Sequence, residues 1–123
     1  MPGPKLAFET ARTAHEVRLA VTGELDMATG PSLEETALAL LRDRPRVLSL
    51  DMQGVTFCDS SGIACLIRVQ RAVAEAGGQL ELRQVRGLVR RVLDLAGVSE
   101  VLGVRDGTED RPDLSGGAAD PPR

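Results

Sequence analysis

The residues whose types and spacing could support chemistry lie in one short segment, FCDSSGI, over positions 57–63. Two adjacent hydroxyls, those of Ser60 and Ser61, follow the carboxylate of Asp59 and precede Gly62. A serine at the start of a helix is held at the surface, and the helix terminus tolerates an added anion, so it can accept a phosphoryl group. The same pattern fits a helix cap, in which the Ser60 hydroxyl or the Asp59 carboxylate accepts a backbone N–H. On residue pattern alone, both interpretations stay open.

The chain offers little for enzyme chemistry or metal binding. His15 is the single histidine and falls in a predicted hairpin loop, so no general base is expected near Ser60. The sequence contains neither a G-x-S-x-G elbow nor a P-loop. Cys58 and Cys65 are expected to be free thiols that pack in the core, and no metal site is expected. We therefore expect a protein that is not an enzyme and that needs no cofactor.

Composition and charge bear on the class of partner. Of 123 residues, 42% are hydrophobic and 27% are charged, which is typical of one globular domain with a real core. The net charge is −3 and only 2% of residues are aromatic, so we expect no direct binding to nucleic acid. No apolar run approaches the roughly 20 residues of a membrane span, and no signal peptide is visible. We therefore expect a cytoplasmic protein without a membrane partner.

Hydrophobic periodicity predicts the elements that must position the two serines. Alternating apolar residues indicate strands, whereas apolar residues spaced three or four apart indicate helices. In chain order we expect strands near 6–8 and 17–21, a helix from Pro31 to Pro45, a strand over 47–51, a helix over 61–76, a strand over 79–85, a helix over 88–96 and a short strand over 99–104. Successive β-α-β units require right-handed crossovers between parallel strands. The predicted fold class is a small α/β domain, order β-β-α-β-α-β-α-β, with a mixed, mostly parallel sheet and helices packed on it.

Three finer predictions accompany this order. Ser32 and Glu35 are spaced for a capping box at the start of the first helix. The segment after the strand 47–51 is expected to be a loop at the carboxyl edge of the sheet, where function concentrates. Residues 1–104 form the domain, and residues 105–123, rich in Gly, Pro and Asp, form a disordered tail.

Three segments resemble the STAS domain of bacterial anti-sigma-factor antagonists: VTGELDMAT, VLSLDMQGVTFCDSSGIACLIRVQRAVAEAGGQLEL and VRRVLDLAGVSEVLGV. The resemblance spans about residues 5–104, and Asp59-Ser60-Ser61-Gly62 is its most specific part. In that family the unphosphorylated protein binds an anti-sigma factor that is also a serine kinase, and so frees the sigma factor. The kinase phosphorylates the first serine of the motif, and a PP2C-type phosphatase resets it. The resemblance implies a STAS-like fold and a partner-switching regulator of transcription.

Carried over to this chain, the resemblance implies that Ser60 is the phosphorylated residue. It also implies that Asp59 orients the acceptor, that Ser61 caps the helix and that Gly62 permits close approach. The expected partner-binding residues lie around the acceptor: Asp26, Asp59, Ser61, Gly62 and Ile63.

Several alternatives stay open at this stage. Thr29 is either a regulatory threonine or an N-cap or turn residue. A group of arginines is either a basic docking surface or part of a solvated helix face: Arg83, Arg86, Arg90 and Arg91. The alternative function is a STAS scaffold subunit, for example of a lipid-transport ATPase or a stress-sensing complex, which docks a partner without phosphorylation. A nucleotide-binding role at the same edge is a third.

Overall fold

The strands and helices follow the predicted order in a computed structural model that describes residues 5–105. The elements are β1 Ala7–Arg12, β2 Glu16–Leu25, α1 Gly30–Leu40, β3 Val47–Cys58, α2 Ser60–Glu75, β4 Gln79–Arg83 and α3 Gly87–Ala96. A 3₁₀ turn, Leu41–Asp43, follows α1.

The sheet has the strand order β1-β2-β3-β4, so spatial order repeats chain order. β1 is antiparallel to β2 through a hairpin that contains His15, as predicted, and the other pairs are parallel. The parallel pairs arise because a helix returns the chain between consecutive strands. The predicted class, a small α/β domain with a mixed sheet, is confirmed.

The strand predicted over 99–104 is wrong in extent. The chain forms turns there, and a single parallel bridge joins Val104 to Leu82. Gly103 has a φ of +71°, which is unsuited to a continuous strand, and a Cβ there would lie 2.2 Å from the carbonyl oxygen of Leu80. Backbone bonds from Leu82 to Gly103 and from Arg105 to Leu82, both 2.9 Å, still cover the outer edge of β4.

β3 is longer than predicted, because it runs over 47–58 and not 47–51. The segment expected to be a loop pairs with the second half of β2, and register shifts absorb the irregular spacing. Gly54 permits this pairing, since a Cβ there would lie 2.7 Å from the hydroxyl oxygen of Thr22. The strand therefore delivers the chain almost directly to Ser60.

The predicted capping box of the first helix is also wrong. The Ser32 hydroxyl donates to the carbonyl of Thr29, 2.9 Å away, and the N-cap Thr29 makes no side-chain capping bond. Pro31 does lie in the first turn, where its missing N–H has no cost. The α-helix ends at Leu40 and not at Pro45 as predicted, and the 3₁₀ turn after it ends at Arg44, which takes a left-handed conformation with φ +50°.

The core is built from aliphatic residues, together with Cys58 and Cys65, which are buried and free as predicted. Arg83 is also buried, so the interpretation of that residue as part of an exposed basic surface is wrong. Its guanidinium donates to Ser49 at 3.1 Å and to Glu81 at 2.9 Å. The remaining arginines of that group lie on or beside α3: Arg86 and Arg91 are exposed, and Arg90 pairs with Asp94.

The predicted disordered tail lies, apart from Arg105, outside the described residues. Within residues 5–105, no helix has the length and apolar character needed to cross a membrane. The same range holds no cluster of three or more His, Cys, Asp or Glu side chains that could bind a metal ion.

The buried thiols should lower stability in alkaline solution. Burial raises the pKa of both Cys58 and Cys65 from 9.0 to about 11, and the charges of Asp59 and Glu34 respectively add to the effect. The unfolded chain therefore ionises first, so the stabilising contribution is complete below pH 9.0 and is lost as the pH rises to about 11. We expect the free energy of unfolding, measured with urea, to fall across this window.

The sequence makes this test clean, because it has no tyrosine and Lys5 is its one lysine. A variant with Cys58→Ala and Cys65→Ala should show a much flatter dependence on pH, whatever its absolute stability. An equally steep fall in that variant would contradict the assignment to the thiols.

Candidate functional site

The ends of β2 and β3 bring two acidic residues to the same edge of the sheet. Leu25 and Cys58, the last residues of these parallel strands, are register partners. Asp26 and Asp59 follow them directly, and the Asp59 N–H donates to the Leu25 carbonyl at 3.4 Å. The structure therefore places Asp26 beside the segment that carries the serines.

The carboxylate of Asp59 caps α2. Its Oδ1 accepts the backbone N–H of Gly62 at 3.0 Å, and its own backbone is extended, with φ −114° and ψ −168°. A carboxylate suits this place because the helix start carries partial positive charge. Of the two cap interpretations for this segment, the structure selects Asp59 over Ser60, and the expectation that Ser61 caps the helix is wrong.

Ser60 is consequently the first residue of α2, and its hydroxyl does not cap the helix. The side chain is exposed and makes no hydrogen bond to any other residue within 5–105. Ser61 is half-buried. A phosphoryl donor can reach the Ser60 oxygen without opening the fold.

Gly62 and Ile63 are occupied by packing inside the domain. Gly62 is buried, and a Cβ there would lie 2.6 Å from the Leu25 carbonyl oxygen and 2.8 Å from the Cys58 sulfur. The close approach that this glycine permits is thus between α2 and the sheet, and not with a partner. Ile63 is half-buried and packs against the core.

The turn between β2 and α1 is held by its own polar side chains. Asp26 Oδ1 accepts the N–H groups of Ala28 at 3.0 Å and of Thr29 at 3.1 Å. The Thr29 hydroxyl donates to the Glu24 carbonyl at 2.6 Å, so Thr29 is a buried turn residue. Met27, between them, is 76% exposed.

A groove of about 240 Å³ lies between the start of α1 and the side of α2 that carries Ser61, the neighbour of Ser60, and Arg68. Arg68 forms part of it and donates to Glu34 of α1 at 2.9 Å; this hydrogen bond raises the pKa of the guanidinium above its ordinary value. The groove is lined by Asp26, Met27, Gly30, Pro31, Ser61, Ala64 and Arg68.

Sequence reasoning did not identify Met27, Glu34 or Arg68 as parts of this region. A large apolar residue in a turn directly after Asp26 was a usable signal for Met27, because turns favour small and polar residues. The pairing of Arg68 with Glu34 joins residues on two helices, and no local pattern predicts it.

The packing of Gly62 gives a testable consequence. A Gly62→Ala variant should lose about 1–3 kcal/mol of unfolding free energy, because the new methyl group meets the Leu25 carbonyl and forces a shift. Gly30→Ala is the matched control, since Gly30 is also a buried first-turn glycine and its added Cβ would lie 3.4 Å from the Cβ of Cys65. Chemical denaturation that finds the two variants equally stable would contradict this packing.

Comparisons with known proteins agree with this arrangement. A family model described as "Mlab, STAS domain" matches residues 8–104. The chain is 27% identical over 104 residues to an anti-sigma-B factor antagonist of Staphylococcus aureus (strain NCTC 8325 / PS 47), covering 85% of this chain and 96% of that protein.

Two solved structures share the fold. The crystal structure of an anti-sigma factor antagonist from Mycobacterium paratuberculosis has a TM-score of 0.74 and 25% identity, covering 90% of this chain and 92% of that one. SpoIIAA, an anti-sigma factor antagonist, in its unphosphorylated form has a TM-score of 0.73 and 21% identity, covering 93% and 100%. With the family model matching residues 8–104, the resemblance read from the motif is confirmed: the chain belongs to the STAS domain family.

Proposed function

We propose that this protein is an anti-sigma-factor antagonist whose binding to an anti-sigma factor serine kinase is ended by phosphorylation of Ser60. The observation that carries the proposal is the exposed Ser60 hydroxyl at the first position of α2, released from capping by Asp59. Similarity to an anti-sigma-B factor antagonist over 85% of the chain supports it. In this role the protein is a substrate and a binding partner, and not an enzyme.

The fold can carry a phosphate at Ser60 without unfolding. Phosphorylation adds about −1.5 to −2 charges at a helix N-terminus, where first-turn N–H groups without intrahelical acceptors favour an anion. The cap is unaffected, because the bond from Gly62 to Asp59 uses no serine oxygen. The modification therefore changes the surface and leaves the domain intact.

A docked partner would not share this tolerance. The surface around Ser60 already carries the carboxylates of Asp26 and Asp59, so a phosphate there concentrates negative charge at the contact. A kinase whose surface fits the neutral hydroxyl must desolvate the phosphate in order to bind, and its affinity therefore falls. Each loss of about 1.4 kcal/mol in binding is a tenfold loss of affinity, so a few kcal/mol suffice for a switch.

The groove beside Ser60 supplies the contact surface. Met27 projects at its rim, and an exposed, flexible thioether gives a partner apolar area next to the acceptor. In the cell the freed sigma factor would direct transcription, and a PP2C-type phosphatase would return the protein to its binding form.

A second candidate, a STAS scaffold subunit, is favoured by one observation: the groove is formed without Ser60 among its lining residues. A partner could dock there with no phosphorylation cycle. Binding that is indifferent to the charge at position 60 would select this function over the first.

The switch at Ser60 can be tested with the kinase from native cells. The kinase is purified by following its ATP-dependent phosphorylation of this chain. We expect mass spectrometry to find one phosphate, on Ser60, and Ser60→Ala to accept none. Ser61→Ala is the matched control and should still be modified. Phosphate on Ser60→Ala at the wild-type rate would refute the assignment.

The electrostatic part of the proposal is tested by Ser60→Asp. This variant should bind the same kinase at least about tenfold more weakly in calorimetry, while its thermal midpoint stays near that of the wild type, because aspartate is well tolerated in a first helical turn. Equal affinity would point to the scaffold function.

Met27 should contribute to binding through apolar contact. Met27→Ala is expected to weaken kinase binding about tenfold with little loss of stability, since the side chain is 76% exposed. Leu95→Ala, at a residue 81% exposed on α3, is the matched control and should bind normally. Equal losses in both variants would argue against a contact at the groove.

A further inference from the structure

The hydroxyl of Thr29 lies inside the turn between β2 and α1, and the proposed switch does not use it. Thr29 is 6% exposed. Its Oγ1 donates to the Glu24 carbonyl at 2.6 Å, accepts the Asp26 N–H at 3.0 Å, and lies 3.2 Å from Asp26 Oδ1.

These contacts occupy the hydroxyl. A threonine hydroxyl has one proton and two lone pairs, and the short bond to Glu24 uses the proton. Because the group is also buried, a kinase cannot reach it while the domain is folded. Thr29 is therefore unsuited to be a second regulatory acceptor beside Ser60.

The same contacts tie the turn to the sheet. Glu24 is paired with Phe57 in β3, one residue before the partners Leu25 and Cys58. By holding Glu24 on one side and Asp26 on the other, Thr29 fixes how the chain leaves the strand. A further bond from the Gly30 N–H to the Asp26 carbonyl, 2.8 Å, closes the turn at the start of α1.

The residues that directly follow β2, Asp26 and Met27, form one wall of the groove. Asp26 Oδ1 is directed inward, toward the N–H groups of Ala28 and Thr29. Met27 is 76% exposed, so its position depends mainly on the backbone bonds inside the turn.

We propose that Thr29 is a positioning residue, which holds the Asp26–Met27 corner in the conformation that the kinase recognises beside Ser60; this rests on the proposed function. It acts through its hydroxyl on the turn, and touches neither the kinase nor the acceptor. Loss of the hydroxyl should impair recognition and leave the chemical step on Ser60 intact.

The test compares Thr29→Val with Thr29→Ser in the full-length chain. Valine keeps the shape of threonine without the hydroxyl, and serine restores the hydroxyl. We expect Thr29→Val to raise the KM for Ser60 phosphorylation about tenfold with kcat changed less than about twofold, and Thr29→Ser to stay close to the wild type.

A control separates positioning from general stability. Ser49→Ala removes another buried hydroxyl, bonded to the Arg83 guanidinium at 3.1 Å and located nine residues before Cys58 on β3. It should lower the thermal midpoint without raising KM. Amide hydrogen exchange adds a readout that needs no kinase. The exchange rate of the Asp26 N–H should rise at least about tenfold in Thr29→Val and should be unchanged in Ser49→Ala.

Each other outcome overturns the inference. A wild-type KM or an unchanged Asp26 exchange rate in Thr29→Val would show that the hydroxyl does not hold the corner. An equal rise of KM in Ser49→Ala would reduce the effect to lost stability, and phosphate on Thr29 would show that the residue is an acceptor. If the wild-type chain is not modified on Ser60, the proposed function fails, and this inference fails with it.

Discussion

The site depends on the contact between the first turn of α2 and the end of β2. The absence of a side chain at Gly62 lets the helix start lie against the Leu25 carbonyl, closer than any other residue would allow. That approach sets the direction in which α2 leaves the sheet and places Asp59 over the helix end. With the cap provided by a carboxylate, the neighbouring hydroxyl is turned to solvent. A packing constraint inside the domain thus determines the exposure of the Ser60 hydroxyl.

Two tasks that one serine could have performed are divided between adjacent residues. Asp59 stabilises the helix, where loss of a cap typically costs about 1 kcal/mol, whereas the Ser60 side chain is exposed and takes no part in the cap. A residue whose side chain makes no contact that the fold needs can gain and lose a charged group without disrupting the domain. The turn after β2 repeats the division, because Asp26 and Thr29 hold the backbone while Met27 projects.

Much of this could be predicted from the sequence, because the informative signals were local. Alternation and helical spacing predicted the element order, and the DSSG motif pointed to Ser60, which is exposed at the start of α2. The extension of β3 to Cys58 was missed, since the polar and glycine residues around Gly54 look like a loop until the second half of β2 is known to pair with them. The buried Arg83 was misjudged for a similar reason: its partners Ser49 and Glu81 lie on neighbouring strands.

The order of strands in the sheet, which repeats their order in the chain, has a kinetic consequence. Each strand pairs with the one made just before it, so no strand has to wait for a segment that the ribosome has not yet synthesised. The crossovers between parallel strands still close long loops, since the register partners Glu16 and Val47 are 31 residues apart, and such non-local pairing slows folding. The sheet can grow at one side as the nascent chain emerges, and the bridge from Val104 to Leu82 completes it last.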